Sequence, residues 1–201
     1  MSDVLIGGIE KRKIVIVDYD PRWPEKFQEH SAILSRVLGS KALAIEHVGS
    51  TSVPGLAAKP IVDIDVLVED PSDEDAYLPA LVQAGYVLRV REPDWHQHRM
   101  FRTPELDVHV HIFAPDCVEV RRHLAFRDRL KANMEERYLY ESVKRRLASE
   151  DWPDMNAYAQ AKTEVVEQVI ARALQEEPIE TFQTPPDTVG ANGSRASRRV
   201  G

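Results

Sequence analysis

The most informative stretch of the sequence is residues 46–66, which read EHVGSTSVPGLAAKPIVDIDV. Near its end, branched apolar residues alternate with two aspartates, a pattern typical of a half-buried β-strand. Because side chains alternate across a strand, Asp63 and Asp65 are predicted to share one face, with the apolar residues on the other. Their Cα atoms would then lie about 6–7 Å apart.

This pair of carboxylates predicts a divalent cation. Two neighbouring carboxylates repel each other, and burying them is costly unless a cation lies between them. Mg²⁺ prefers oxygen ligands and is commonly bound by one or two carboxylates together with substrate phosphates. We therefore predict Asp63 and Asp65 as catalytic residues and as ligands of Mg²⁺, with Mn²⁺ as an alternative ion.

The loop before this strand is a candidate phosphate-binding site. Gly49 allows a phosphate to approach the backbone closely, and the hydroxyls of Ser50, Thr51 and Ser52 follow it. Backbone N–H groups in such a turn can form an anion-binding concavity. Taken alone, the loop is better explained as a Ser/Thr-rich turn that binds nothing. Its position about a dozen residues before the aspartates favours nucleotide binding by these four residues.

The rest of the sequence predicts an α+β fold, a mixed β-sheet with flanking helices and a helical C-terminal region. Strands are predicted at residues 14–17, 42–48, 61–68, 86–90, 98–102 and 106–113. Helices are predicted at residues 21–38, 71–85, 118–133, 135–149 and 154–175. The predicted organisation is an irregular lead-in (1–12), a single domain (13–175) and a disordered tail (176–201).

Composition, net charge and the lack of a long apolar run exclude several classes of protein. The chain has 201 residues, of which 43% are hydrophobic and 29% charged, as is usual for a globular protein. A net charge of −7 argues against bulk binding of nucleic acid or anionic membranes. The sequence has no apolar run of roughly 18 residues, and its N-terminus is a poor secretory signal, so we expect a cytoplasmic protein.

Several of these motifs resemble known families. Gly-Ser, a spacer and Asp-x-Asp on an apolar strand resemble the active-site pattern of DNA polymerase β-like nucleotidyltransferases. Residues 18–24, 46–56 and 59–63 more closely resemble the GrpB family, an uncharacterised protein family also catalogued as UPF0157. Weaker similarities at residues 109–111 and 123–128 extend this resemblance over about residues 14–174. It implies a nucleotidyltransferase-like core acting on an unassigned substrate.

The superfamily resemblance also implies a third carboxylate on a neighbouring strand. Asp107 is the candidate, as a general base or a ligand of a second metal. Its spacing from His109 and His111 predicts that all three share one face. The resemblance to the GrpB family on this strand lies in the His-x-His motif and not in an aspartate at the position of Asp107. His109 or His111 is therefore the alternative base or metal ligand.

The remaining polar residues leave several interpretations open. His96 and His98, with the pair at residues 109–111, would suit a zinc site, contacts to a nucleotide, or a polar surface without a ligand. His109 and His111 are assigned here to nucleotide binding. Lys59 and Arg102 are predicted to bind the phosphates as cations. Lys162 either contacts a phosphate or extends beside core residues towards solvent.

Three functions remain in competition. The first is Mg²⁺-dependent transfer of a nucleotidyl group from a nucleoside triphosphate to an unknown small-molecule or protein acceptor. The second is a non-catalytic nucleotide-binding or accessory module related to CoA metabolism, because GrpB-like domains also occur fused to dephospho-CoA kinases. The third is a metal-dependent hydrolase centred on the histidines and Asp107.

Overall fold

The computed structural model of the protein describes residues 4–8 and 13–176. The predicted lead-in therefore lies partly outside the described residues, and the predicted tail lies outside them except for its first residue. Among the residues that are described, none of the helices has the length and apolar character of a membrane-crossing segment.

Over these residues the chain forms one sheet with helices on both faces. The strands are β1 (Ala44–Val48), β2 (Val62–Leu67), β3 (Val87–Glu92), β4 (His98–Arg102) and β5 (Val108–Phe113). The helices are α1 (Arg22–Leu38), α2 (Leu78–Gln83), α3 (Val118–Ala132), α4 (Met134–Ala148), α5 (Met155–Ala161) and α6 (Thr163–Glu176). The predicted α+β fold, with a mixed sheet and flanking helices, is confirmed.

The sheet is mixed because one pair of neighbouring strands is parallel. Its order is β1-β2-β5-β4-β3, with β2 and β5 parallel and the other neighbours antiparallel. In the parallel pair, Asp63 lies opposite His109 and Asp65 lies opposite His111. Residues directly opposite each other point to the same face of a sheet. This register therefore brings the two motifs identified in the sequence onto one surface.

The two faces of the sheet differ in character. One face carries the apolar residues of β2 and β5, including Ile64 and Val110, which pack with Trp23 and Leu34 of α1 in the main core. The opposite face carries the aspartates and histidines and lies beneath α3, whose Val120 packs on Phe113. Helices α4 and α6 pack in turn against α3 and the loop at Val53–Leu56.

The predicted strand at residues 14–17 is wrong. Val17 forms only an isolated pair of backbone hydrogen bonds with Ala58, each 2.9 Å long, and the segment joins no strand of the sheet. Ile14 is nevertheless buried, in contact with Leu147 and Tyr158. Its apolar pattern thus reflects packing against the C-terminal helices, which local periodicity cannot distinguish from burial in a sheet.

Two predicted helices are shorter or broken. The α-helix predicted at residues 71–85 is confined to Leu78–Gln83, because Asp70 caps a turn at Ser72 and the backbone leaves the helical region at Tyr77. The helix predicted at residues 154–175 is interrupted at Lys162, which lies in a turn between α5 and α6. The other helices and strands match their predicted bounds within about two residues.

The buried face of β2 should dominate the stability of the fold. Replacing Ile64, which has 0% exposure, by alanine leaves a cavity between α1 and the sheet. We expect Ile64→Ala to lower the free energy of unfolding by about 2–5 kcal/mol in urea titrations. Leu43→Ala is the matched control, because Leu43 is 55% exposed and its truncation should cost well under 1 kcal/mol. Similar losses in the two variants would contradict this placement of the core.

Candidate functional site

Asp63, His109 and His111 form the centre of the candidate site. Oδ1 of Asp63 lies 3.3 Å from Nδ1 of His109 and 3.8 Å from Nε2 of His111. One ligand atom from each residue lies within 4.8 Å of the others, close enough for a single metal ion. Burial raises the pKa of Asp63, but the hydrogen bonds and charges of His109 and His111 together outweigh burial and leave the pKa below its ordinary value. The carboxylate is therefore ionised and available to a cation.

Gly49 permits the backbone to approach this carboxylate closely. The residue has φ +68° and ψ −171°, a conformation that is essentially restricted to glycine. A Cβ atom at this position would lie 2.7 Å from Oδ2 of Asp63. Both the backbone conformation and the space beside Asp63 therefore require glycine.

A chain of hydrogen bonds behind His111 fixes its tautomer. Nδ1 of His98 lies 2.7 Å from a carboxylate oxygen of Glu92, and Nε2 of His98 lies 3.0 Å from Nδ1 of His111. Burial lowers the pKa of His98 to about 2, so its ring is neutral. Because the carboxylate only accepts, His98 donates from Nδ1 and accepts at Nε2 from His111. In the neutral form of His111 this pattern leaves the lone pair on Nε2, the nitrogen nearer Asp63, as metal coordination requires.

Asp65 shares this face, but it is engaged by α3. The residue is 0% exposed, and its Oδ2 lies 2.8 Å from Nδ1 of His123. Burial lowers the pKa of His123, yet the hydrogen bond and charge of Asp65 outweigh burial and raise it overall. Oδ1 of Asp65 has no hydrogen-bond partner among the described residues. The structure therefore places Asp65 beside the candidate metal group without including it there.

The hydroxyls of the predicted phosphate loop have different surroundings. Thr51 is buried, with its hydroxyl 3.1 Å from Nε2 of His47, and the Ser52 hydroxyl donates to the carbonyl of Gly49 at 2.6 Å. These two side chains hold the turn together. Ser50 instead lines a cavity next to Asp63, where a hydrogen bond joins it to Tyr140.

Asp107 and Arg102 are not members of the candidate metal group. Asp107 pairs with Lys26 of α1 and accepts a 2.8 Å hydrogen bond from the Thr103 hydroxyl. These contacts outweigh its burial and lower the pKa of Asp107. Arg102 lies opposite His109 in the β4–β5 register and so shares its face.

A cavity of about 170 Å³ opens beside Asp63. The sheet and its loops contribute polar walls from Ser50, Lys59, Asp63 and His109, and the C-terminal helices contribute Tyr140, Lys144, Tyr158 and Lys162. Lys59 is therefore placed where the sequence predicted a phosphate contact. Lys162 also lines the cavity, which favours its interpretation as a ligand-facing residue.

Sequence reasoning missed Tyr140 and Lys144. Their spacing repeats that of Tyr158 and Lys162, a Tyr-x-x-x-Lys pattern that occurs in α4 and again across α5. Residues four apart lie on one face of a helix, so Lys144 lies over Tyr140 in α4, and the turn after α5 places Lys162 over Tyr158 in the same way. The lysine Nζ atoms lie 4.6 Å and 4.7 Å from the ring centres. This repeated spacing is the signal that could have identified the helical wall.

A larger groove of about 840 Å³ lies elsewhere, along α3. Its walls are mainly apolar and include Leu67, Val118 and Ala173. None of the three candidate metal ligands lines it. The smaller cavity, which Asp63 and His109 line, is therefore the candidate ligand site.

Comparisons with known proteins identified a matching family model and several similar proteins. The family model described as GrpB protein matches residues 13–172. A UPF0157 protein of Halalkalibacterium halodurans is 46% identical over 175 residues, which cover 86% of this chain and 90% of that protein. The crystal structure of conserved protein GrpB from Enterococcus faecalis has a TM-score of 0.73 and 34% identity, and the match covers 80% of this chain and 98% of that one.

A more distant similarity involves a protein with a named activity. A dephospho-CoA kinase of Mycolicibacterium paratuberculosis is 29% identical over 180 residues. The match covers 77% of this chain but only 44% of that protein.

Adding a side chain at Gly49 should damage the candidate metal site. We expect Gly49→Ala to lower the free energy of unfolding by about 1–3 kcal/mol through backbone strain, and to weaken Mn²⁺ binding by displacing Asp63. Thermal unfolding and calorimetric titration measure the two effects. Gly55→Ala is the control, because Gly55 also has a positive φ (+78°) but nothing lies within 4 Å of an added Cβ. Unchanged Mn²⁺ affinity in Gly49→Ala would show that the glycine serves the turn alone.

Lys144 should make stability depend on pH. Burial lowers the pKa of this lysine to about 7, and the charge of Lys162 contributes to the shift. Between pH 7 and about 10 the unfolded chain then binds more protons at this residue, so the stability of the fold should rise with pH. We expect Lys144→Met to reduce that rise by a few kcal/mol in denaturant titrations, whereas Lys41→Met at the exposed surface should not. Identical pH profiles in all three proteins would disprove this.

Proposed function

This chain belongs to the GrpB family, and we propose that it is a divalent-metal-dependent nucleotidyltransferase using a nucleoside triphosphate and an unidentified acceptor. The observation that supports the proposal best is the position of Asp63. Its carboxylate belongs to a potential metal group, lies beside a glycine turn suited to phosphate, and lines a cavity that also contains three lysines. Phosphoryl chemistry needs these components together.

The donor set supports a metal with affinity for nitrogen. Two imidazole nitrogens and one carboxylate oxygen suit Mn²⁺, Fe²⁺ or Zn²⁺ better than Mg²⁺, which prefers oxygen. Of the two ions predicted from the sequence, the set therefore favours Mn²⁺. Asp63, His109 and His111 would hold the ion. A bound divalent ion supplies charge neutralisation at the phosphate oxygens.

The other residues would bind and orient the triphosphate. Backbone N–H groups of the turn after Gly49 can approach its oxygens, since no Cβ intervenes. Lys59 and Lys162 offer ammonium groups at the adjoining cavity. An acceptor hydroxyl then attacks the α-phosphorus, the bond to the bridging oxygen breaks, pyrophosphate leaves and the hydroxyl proton passes to water. Rate enhancement by these side chains would come from positioning and electrostatic stabilisation.

An accessory role related to CoA metabolism is the second candidate. It is favoured by the similarity to a dephospho-CoA kinase, because the matching region makes up only 44% of that protein. A domain of this kind would bind the nucleotide-like part of a CoA precursor without transferring it. Both candidates require the same cavity to bind phosphate groups, so nucleotide binding alone does not separate them, but turnover does.

Asp63→Asn is the decisive variant for transfer. We expect it to weaken Mn²⁺ binding by roughly 100-fold or more. Loss of a residue that only hydrogen-bonds to a metal ligand already costs up to about 100-fold, and loss of a ligand should cost at least as much. Mn²⁺-dependent release of pyrophosphate from ATP, CTP, GTP or UTP should be lost, as measured with a coupled phosphate assay. Glu69→Gln is the matched control, since Glu69 is an exposed carboxylate that lies just beyond the same strand.

Three outcomes would contradict the proposal. Wild-type Mn²⁺ affinity and turnover in a folded Asp63→Asn protein would exclude the metal group. Nucleotide binding without pyrophosphate release under any metal would favour the accessory role. Stoichiometric zinc in the purified protein, with hydrolysis of phosphate esters and no transfer, would favour a metal-dependent hydrolase instead.

A further inference from the structure

Two tyrosine–lysine pairs converge on the cavity beside Asp63. Lys144 Nζ lies 4.6 Å from the ring centre of Tyr140, and Lys162 Nζ lies 4.7 Å from that of Tyr158. Lys59, which approaches from the loop before β2, lies 5.4 Å from the Tyr158 ring. Three lysine side chains from separate parts of the chain therefore line one small space.

Two of these lysines, Lys144 and Lys162, have no carboxylate in direct contact within the described part of the chain. Lys144 is 2% exposed, and its Nζ donates to the carbonyl oxygen of Ala57. The carboxylates of Glu141 and Asp63 act on Lys144 and Lys162 respectively, but over a distance. Aromatic faces and a carbonyl are weaker counterparts for buried ammonium groups than a direct anion. The walls of the cavity are thus electrostatically suited to an anionic ligand.

A second observation independently indicates a ligand. Tyr158 is 0% exposed, yet its hydroxyl has no hydrogen-bond partner among the described residues. Buried hydroxyls nearly always have a partner, because leaving one unsatisfied is unfavourable. Tyr158 is among the residues that line the cavity, so an anion bound there is a candidate partner for this donor.

The size of the cavity limits what it can hold. Its volume of about 170 Å³ is below the roughly 300–1,000 Å³ of pockets that enclose a whole drug-sized ligand. It can therefore accommodate phosphate groups but not an entire nucleotide. Ser50 and Asp63 on its sheet side connect it directly to the candidate metal group.

From these features we propose that the cavity formed by Tyr140, Lys144, Tyr158 and Lys162 is a binding site for the terminal two phosphates of the substrate. The cavity retains them as pyrophosphate after the bond to the α-phosphorus has broken. The identity of the anion rests on the proposed function, but the site itself requires neither the metal nor the nucleoside. It assigns a substrate-binding role to the C-terminal helices, which the candidate metal group does not involve.

Inorganic pyrophosphate, without metal or nucleotide, is the probe for this site. We expect calorimetric titration of the full chain to show saturable binding, weakened about ten-fold or more in Lys162→Met through loss of a charged contact. Tyr158→Phe should weaken it roughly three- to ten-fold, because the ring remains and only the hydroxyl is lost. The same variant should raise the melting temperature of the unliganded protein by about 2–4 °C, since an unsatisfied buried group is removed.

Lys41→Met is the control, because Lys41 is exposed and contacts the carbonyl of Ala76. Absence of pyrophosphate binding in the wild type, or full affinity in both Lys162→Met and Tyr158→Phe, overturns the proposal. Equal affinity for sulfate and pyrophosphate overturns the assignment to two phosphates. Pyrophosphate binding that depends on these residues in a protein without nucleotide turnover supports the anion site while refuting nucleotidyl transfer.

Discussion

The parallel pairing of β2 with β5 is the constraint on which the candidate site depends. A parallel register aligns residues of equal spacing, so two aspartates at positions 63 and 65 meet two histidines at positions 109 and 111. A shift by one residue would turn one strand's polar side chains into the apolar core beneath α1. Packing of the apolar faces of both strands therefore fixes the register, and this register determines which polar side chains lie opposite each other. Stability and chemistry are coupled through the same two strands.

Much of this arrangement could be predicted because it depends on the spacing of polar and apolar residues within single strands. The alternation in residues 62–67 identified both the strand and the shared face of its aspartates. The prediction was weaker where contacts join distant parts of the chain. Nothing near Asp65 in sequence indicates that His123, 58 residues away, engages it. Likewise the burial of Lys144 depends on Ala57, 87 residues away, and no periodicity in α4 reveals that contact.

The errors of the sequence interpretation share one physical cause. Residues 14–17 are apolar because Ile14 packs on the C-terminal helices, and the pattern is the same as that of a short buried strand. The helix predicted across Lys162 has continuous helical propensity, but the structure turns there and places the ammonium group over Tyr158. Tertiary contacts outweighed local preference in both places. The second of these places lies at the cavity itself, where such departures are expected at functional sites.

The hydrogen-bond chain from Glu92 through His98 also affects how an ion would be taken up. Because His98 accepts from Nδ1 of His111, the opposite nitrogen of His111 carries its lone pair before any ion arrives. Metal binding by proteins commonly displaces protons from the ligands, which makes affinity fall in acid. The tautomer set by His98 avoids one such step, because in the neutral form of His111 no proton has to leave Nε2 before an ion can bind there.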